Sequence, residues 1–208
     1  MIDFVPPALI LLAGALLIGP ARGMLRTAVV LLTPLLTLAA VWQLPDGVVL
    51  TLDFLQYTIE PVEGSAVRRL FATIFALMAF AGGLFAFRQA KWYELAAAYA
   101  YAAGAIGVSF AGDLITFFLF WELTLIPTFF LISLWGVGPH RRYAAVKYTL
   151  MMLAGGVPLL FGFLLLAFNH ASLSGTGVPA GLVFDYPTLL NETLPADLQA
   201  AVFFLLLL

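Results

Sequence analysis

One glutamate stands in the middle of a long apolar stretch of the sequence. Glu122 lies in the run FFLFWELTLIPTFF, residues 117–130, and its neighbours at helical spacing are hydrophobic. A charged side chain at the centre of a bilayer costs about 2.5–3.5 kcal/mol on insertion scales, and intramembrane acids usually have a function. We therefore expect Glu122 to bind a proton or an ion, with a partner that comes from another helix.

A proline follows Glu122 along the same stretch. Pro127 has no amide hydrogen and cannot donate to the carbonyl of Leu123, so we expect a helix break there, as a kink or a loosened turn. Such a break would open room for water or a cation beside the acid. The alternative interpretation is that Glu122 stays protonated and bonds a backbone carbonyl. Both interpretations are physically allowed.

One lysine falls within a stretch that is long and apolar enough to span a membrane. Lys147 lies roughly one turn beyond Arg141 and Arg142. Its long side chain could reach the membrane surface as an interfacial anchor. It could equally take part in proton translocation, as a relay member whose charge favours the ionised form of Glu122. Both roles stay open at this point.

The other titratable residues are weaker candidates. His140 and His170 each stand alone, without a second ligand at metal-binding spacing, and we expect both in solvated loops. Glu94 is expected at the membrane interface beside Lys91, and Asp113 at an outer boundary. The sequence contains no cysteine, which excludes thiolate metal sites and iron-sulfur clusters. We expect no metal site and no cofactor.

The composition is that of a membrane protein. The sequence is 63% hydrophobic and 10% charged, whereas about 25% of the residues of a soluble domain are charged. A net charge of -2 with no basic stripe gives no reason to expect a nucleic-acid partner.

The apolar stretches predict the fold class. A spanning helix needs about 20 mostly apolar residues, and this rule predicts an all-α polytopic membrane bundle that forms a single transmembrane domain over residues 1–208. About six complete transmembrane helices are expected, and the start of a seventh. The predicted ranges are 5–20, 27–43, 70–87, 94–111, 114–135, 144–168 and an incomplete 198–208.

Two longer connections are expected to cover one side of the bundle. The first, residues 44–69, contains the strand-like run VVLTLDFLQYTI, closed by Glu60 and Pro61, and the second, residues 169–197, is rich in Gly, Pro, Ser and Thr.

The basic residues predict the orientation of the chain. They fall in three short connections that would share one side of the membrane: Arg22 and Arg26, Arg88 and Lys91, and Arg141 and Arg142. Cytoplasmic loops carry an excess of Lys and Arg. We therefore expect this side to be cytoplasmic and the N-terminus to lie outside.

The run GAIGVSFAGDLITFFLFWELTLIPTFFLISLWG, residues 104–136, resembles the fourth and fifth helices of the antiporter-like subunits of respiratory complex I. The subunit M type, also called chain 4, is the most similar. The run RRYAAVKYTLMMLAGGVPLLFG resembles the sixth helix of the same subunits. The features that carry the resemblance are, in order, Asp113-Leu114, an aromatic-rich helix, Trp121-Glu122 and Leu125-Ile126-Pro127.

The resemblance implies a specific fold and site. Members of that family have about fourteen helices in two inverted repeats, and this chain would be the N-terminal part. They pair an essential glutamate on the fifth helix with a lysine on a broken seventh helix. Glu122 matches that glutamate by position and motif, and Lys147 matches a basic position that part of the family keeps. The seventh-helix lysine would follow Leu208, so we expect a fragment of a longer protein or one piece of a split subunit.

The expected function is therefore proton translocation by a membrane subunit of an NADH-quinone oxidoreductase, with electron transfer elsewhere. The expected partners are other membrane subunits of a complex I-like assembly, the lipid bilayer and protons, and the expected location is a bacterial inner (plasma) membrane. The alternative is a subunit of a multisubunit cation/proton antiporter, or of a related proton-coupled carbon-uptake complex. A third interpretation is a structural scaffold in which Glu122 always stays protonated.

Overall fold

The computed structural model describes residues 5–54, 57–173, 182–191 and 194–207. These residues form eight helices and one two-stranded sheet. The helices are α1 Pro7–Ile18, α2 Met24–Gln43, α3 Ala66–Ala86, α4 Trp92–Phe110, α5 Leu114–Trp135, α6 Arg141–Leu173, α7 Tyr186–Leu190 and α8 Ala196–Leu207, and the strands are β1 Gly47–Phe54 and β2 Tyr57–Gly64.

Four of the described helices, α2, α3, α5 and α6, are long and apolar enough to cross a membrane. The helices α1 and α8 are apolar but shorter, with 12 residues each. The helix α4 has 19 residues, but Glu94 and three tyrosines make it less apolar. The protein is thus a mostly helical membrane protein with four candidate spans in its described part.

Several helix ends differ from the expected ones for local reasons. The helix α1 is shorter than the expected 5–20 because Pro6 precedes its first turn and Gly19-Pro20 follows its last. The helix α3 begins at Ala66 rather than at residue 70, since the Ser65 side chain accepts a hydrogen bond from the Arg68 amide at 3.3 Å and caps it. The helix α3 thus includes Arg68 and Arg69, which the expected range left out.

The helix α6 extends beyond the expected range 144–168 at both ends and runs from Arg141 to Leu173. The expectation that His170 lies in a solvated loop was therefore wrong, because His170 belongs to the last turn of α6. His140 directly precedes α6 and is exposed.

The helix α4 is the centre of the bundle and packs against α1, α3 and α5. Small residues allow the close approach of α5: a Cβ atom built on Gly104 would lie 2.7 Å from Thr124 Cγ2. Tyr99 is buried on the opposite face of α4, and its hydroxyl donates to the carbonyl of Val30 on α2 at 2.5 Å. The helix α6 then packs against α5, and α8 against α6.

The strand-like segment forms an antiparallel hairpin of β1 and β2. The second strand continues past Glu60 and Pro61 to Gly64, where the sequence had suggested an end. The register shifts beside Pro61, where Leu50 is opposite Val62 and Leu52 is opposite Ile59. A bulge accommodates a proline in a strand, since proline has no amide hydrogen to give to the ladder.

The two ends of the bundle differ in charge. At one end, called here the basic end, the connections after α1, α3 and α5 meet. A Cβ atom on Gly19 would lie 3.2 Å from the Trp92 ring, and the rings of Tyr93 and Trp135 stack with centroids 5.1 Å apart. At the opposite end the hairpin meets the α4–α5 corner, where the Gly112 amide donates to the Glu60 carbonyl at 2.9 Å.

Candidate functional site

Glu122 is half-buried on α5, eight residues after the helix begins at Leu114. Its carboxyl group points at the backbone of α6. A Cβ atom built on Gly156 would lie 2.6 Å from Glu122 Oε1, closer than real Cβ contacts allow. The glycine at position 156 therefore lets the acid approach the neighbouring helix.

The carboxyl group of Glu122 has no partner within the described ranges, where no hydrogen bond or ion pair involves it. A cavity of about 410 Å³ lies beside it, between α5, α6 and α8. Its walls include Gly156, which the carboxyl group touches, and Phe117, Trp121, Met152 and Leu206. Glu122 itself does not line the cavity, which adjoins the turn of α6 that its carboxyl group contacts.

The backbone after Glu122 has an altered hydrogen-bond pattern. The helix α5 continues through the buried Pro127 without interruption, but the carbonyl of Leu123 loses the amide donor that residue 127 would supply. The Thr124 and Thr128 hydroxyls donate to carbonyls of the preceding turn, each at 2.7 Å. The helix assignment is thus continuous through Pro127, and the kink or loosened turn expected there stays a prediction.

Lys147 is exposed near the start of α6 and forms no ion pair with any described residue. It precedes Gly156 by nine residues on the same helix, which corresponds to about 14 Å along the axis and half a turn around it. The structure therefore places Lys147 on the face of α6 opposite the one that meets Glu122, and it does not bring the two together.

Glu94 has a structural position at the basic end. Its Oε2 atom accepts a hydrogen bond from the Lys91 amide at 3.0 Å and so satisfies one free donor at the start of α4.

A second group of polar residues lies at the opposite end of the bundle. Asp113 is 0% exposed and accepts three hydrogen bonds: from the Glu60 amide at 2.7 Å, the Thr116 amide at 2.8 Å and the Thr116 hydroxyl at 2.6 Å. It thereby caps α5 and ties this helix to strand β2. We call this group, together with Glu63, Arg68, Asp185 and Tyr186, the outer junction.

Arg68 of α3 holds the outer junction together. Its guanidinium forms an ion pair with Glu63 at 2.5 Å, donates to the carbonyl of Ala111 and lies 5.9 Å from the ring centroid of Tyr186. One side chain thus connects the hairpin, the α4–α5 corner and α7.

Glu60 is the unsatisfied member of the outer junction, because its Oε2 atom is buried and has no hydrogen-bond partner in the part of the chain that the structure describes. Burial raises the pKa of Glu60, and the nearby Asp185, Glu63 and Asp113 raise it further, while Arg68 opposes them. Sequence reasoning placed Asp113 at a boundary and missed this junction. The N-cap pattern of an Asp three residues before Thr116 was the available signal.

The region that contains Glu122 and part of the outer junction matches a known family model. Residues 111–191 match the family described as NADH:quinone oxidoreductase/Mrp antiporter, TM. This segment includes Asp113, Glu122, Lys147 and Gly156.

Relatives with similar sequences bear consistent names. NADH-quinone oxidoreductase subunit M of Pseudomonas aeruginosa is 43% identical over 101 residues, which cover 46% of this chain and 19% of the relative. The chloroplastic NAD(P)H-quinone oxidoreductase chain 4 of Buxus microphylla is 36% identical over 102 residues, 49% of this chain and 19% of the relative. The matches thus span about a fifth of the length of these relatives.

Two solved structures share the fold. A chain of respiratory complex I from Thermus thermophilus with bound NADH superposes with a TM-score of 0.77 at 23% identity, over 99% of this chain and 42% of the other. A chain of the membrane-bound sulfane sulfur reductase, an archaeal respiratory membrane complex, gives a TM-score of 0.68 at 22% identity, over 82% and 28%. Residues 111–191 thus match the NADH:quinone oxidoreductase/Mrp antiporter transmembrane family, and the chain is similar in sequence to subunit M and chain 4 of the quinone oxidoreductases.

Proposed function

We propose that the protein is a proton-translocating membrane subunit of an NADH-quinone oxidoreductase, and that Glu122 is its proton-binding acid. The observation that carries this proposal is the environment of Glu122: a half-buried carboxyl group in an apolar helix, against a glycine, beside a cavity and without a partner among the described residues. An acid in this setting is costly unless it has a use.

The proposed mechanism is electrostatic. A cation that approaches a carboxyl group favours its ionised form, and withdrawal of the cation favours uptake of a proton. In this mechanism, electron transfer in distant subunits moves the cation toward Glu122 and away from it. Each cycle of approach and withdrawal makes Glu122 release one proton and take up another.

We infer that the cation in this mechanism is the seventh-helix lysine that the family resemblance implies. Lys147 is a poor candidate, since half a turn of α6 separates its face from that of Gly156. The helix α8 brings Leu205 and Leu206 to the cavity beside Gly156. The lysine that the family resemblance implies on the seventh transmembrane helix would approach Glu122 from this side. Lys147 then serves as an anchor at the basic end.

The proposal also implies an orientation in the membrane and a set of partner subunits. We infer that the basic end faces the cytoplasm of a bacterium and the N-terminus faces outward, because cytoplasmic loops are rich in Lys and Arg. The other membrane subunits of a complex I-like assembly would surround the bundle and supply the electron-transfer reaction.

A cation/proton antiporter subunit is the second candidate. It is favoured by the family description, which includes the Mrp antiporter. The two candidates differ in their driving reaction. Proton movement in vesicles that requires NADH and quinone supports the first, and sodium-dependent proton exchange in vesicles without a quinone reductase supports the second.

A further inference from the structure

An apolar groove runs along the outside of the bundle between α1, α4 and α5. Its free volume is about 410 Å³. The wall formed by α4 consists mainly of alanines, so small side chains create its depth. The residues that line its three walls include Leu12 and Leu16 of α1, Ala97 and Ala100 of α4, and Leu123 and Phe130 of α5.

The groove has the length of one membrane leaflet. Along α5 it extends from Trp135 at the basic end to Leu123, twelve residues away, which corresponds to about 18 Å. Half of the hydrocarbon core of a bilayer is about 15 Å. A transmembrane helix from another subunit would cross both leaflets, whereas this groove is shaped for an occupant that enters from one side and ends near the middle.

The open end of the groove combines aromatic rings with two cations. Tyr93 and Trp135 line it and stack on each other at 5.1 Å. Lys91 Nζ lies 5.7 Å from the ring centroid of Tyr93. On the other side, Gly136 follows Trp135, and a Cβ atom on it would lie 3.1 Å from Arg141 Cβ. Lys91 and Arg141 are both exposed, and both lie near the aromatic pair.

We propose that this groove binds one phospholipid with an anionic headgroup. One acyl chain lies between α1, α4 and α5, and the phosphate lies at the open end between Lys91 and Arg141. Aromatic side chains are enriched where the headgroup region begins, and clustered Lys and Arg residues attract anionic headgroups. The proposal requires only that the chain spans a membrane, so it does not rest on proton translocation.

The test uses the intact complex that contains the full chain, reconstituted in phosphatidylcholine vesicles. The probe is phosphatidylglycerol with a photoactivatable diazirine on one acyl chain, and labelled peptides are mapped by mass spectrometry. We expect labelling of the α1 and α5 walls, around Leu12 and Leu123, well above that of the exposed face of α2 at Leu35 and Leu36.

Two variants separate the acyl chain from the headgroup. Ala97→Phe fills the groove and should strongly reduce labelling of its walls. The double variant Lys91→Ala with Arg141→Ala should weaken labelling by phosphatidylglycerol roughly tenfold and leave labelling by the matching phosphatidylcholine probe unchanged. Arg88→Ala is the control, because this exposed arginine lies over Phe87 on the α3 side of α4 and should change nothing.

Equal labelling of the groove and the α2 face would overturn the proposal. Labelling that neither Ala97→Phe nor the double variant reduces would do so as well. If Ala97→Phe prevents assembly, the double variant decides alone, since both of its side chains are at the surface.

Discussion

Glu122 Oε1 on α5 and the backbone of Gly156 on α6 approach each other so closely that a Cβ atom at position 156 would lie only 2.6 Å from that oxygen. The contact joins the acid that the sequence analysis singled out to a glycine of the neighbouring helix. It shows the direction in which the carboxyl group points, which is toward α6.

Replacement of Gly156 by alanine should therefore disturb the acid without unfolding the protein. The added methyl group must push away the end of a flexible side chain, and a displaced rotamer costs about 0.5–1.5 kcal/mol. We expect the complex with Gly156→Ala to assemble. Its rate of proton movement should fall by about two- to tenfold, and the number of protons moved per NADH oxidised should fall with it.

The matched control is Gly82→Ala on α3, since a Cβ atom there would meet nothing within 4 Å. Alanine favours a helix by up to about 1 kcal/mol over glycine, so this variant should assemble and pump normally. An equal loss in both variants would mean that the contact between positions 122 and 156 is not the cause.

Lys147 provides a test of which face of α6 takes part in proton movement. It is exposed on the face opposite Gly156, so Lys147→Met should leave proton movement nearly unchanged and reduce only the amount of complex inserted in the membrane. Proton uptake normalised to complex content measures this. A large loss of normalised uptake would instead assign Lys147 to the relay.

Local signals in the sequence account for much of the fold. The range expected for α5, 114–135, is the observed one, because Asp113 caps its start and Gly136 ends it. The position of Glu122 within an apolar helix was evident for the same reason. The hairpin was suggested by its β-branched run, but the bulge at Pro61 depends on how the two strands pair, which no single stretch encodes.

Contacts between distant parts of the chain could not be predicted from such local signals. Glu122 and Gly156 are 34 residues apart, and the turn of α6 that brings Gly156 forward also turns Lys147 away. The burial of Asp113 likewise depends on the Glu60 amide from a strand 53 residues earlier. Helix periodicity predicts which residues share a face, but not which neighbouring helix that face meets.

The outer junction yields a prediction about stability. Asp113 accepts three hydrogen bonds while fully buried, so Asp113→Ala removes a helix cap and leaves buried donors unpaired. We expect a cost of about 2–4 kcal/mol, seen as faster hydrogen exchange of the first turn of α5 and of strand β2. Asp53→Ala is the control, because Asp53 is exposed in β1 and its loss should change stability by less than about 0.5 kcal/mol. Similar exchange in both variants would contradict the assigned role of Asp113.

Glu60 makes the outer junction sensitive to pH. Burial, followed by the charges of Asp185, Glu63 and Asp113, raises its pKa above the ordinary 4.5, so the folded state holds this proton more tightly than the unfolded chain does. The stability that results is fully present below pH 4.5 and is lost as the pH rises through the raised pKa.

The variant Glu60→Gln should remove this dependence. Hydrogen exchange of the hairpin, residues 47–64, measured between pH ~4 and ~7 should show protection that falls with pH in the natural protein and falls less in the variant. Identical slopes would show that Glu60 does not titrate in this range.

The most direct test of the central claim is the number of protons moved per NADH oxidised by the intact complex carrying Glu122→Gln. Glutamine keeps the shape of the side chain and removes its ability to bind and release a proton. We predict that the complex assembles and oxidises NADH while proton movement falls to a small fraction of the natural value. An assembled variant that moves protons with an unchanged ratio would contradict the role assigned to Glu122.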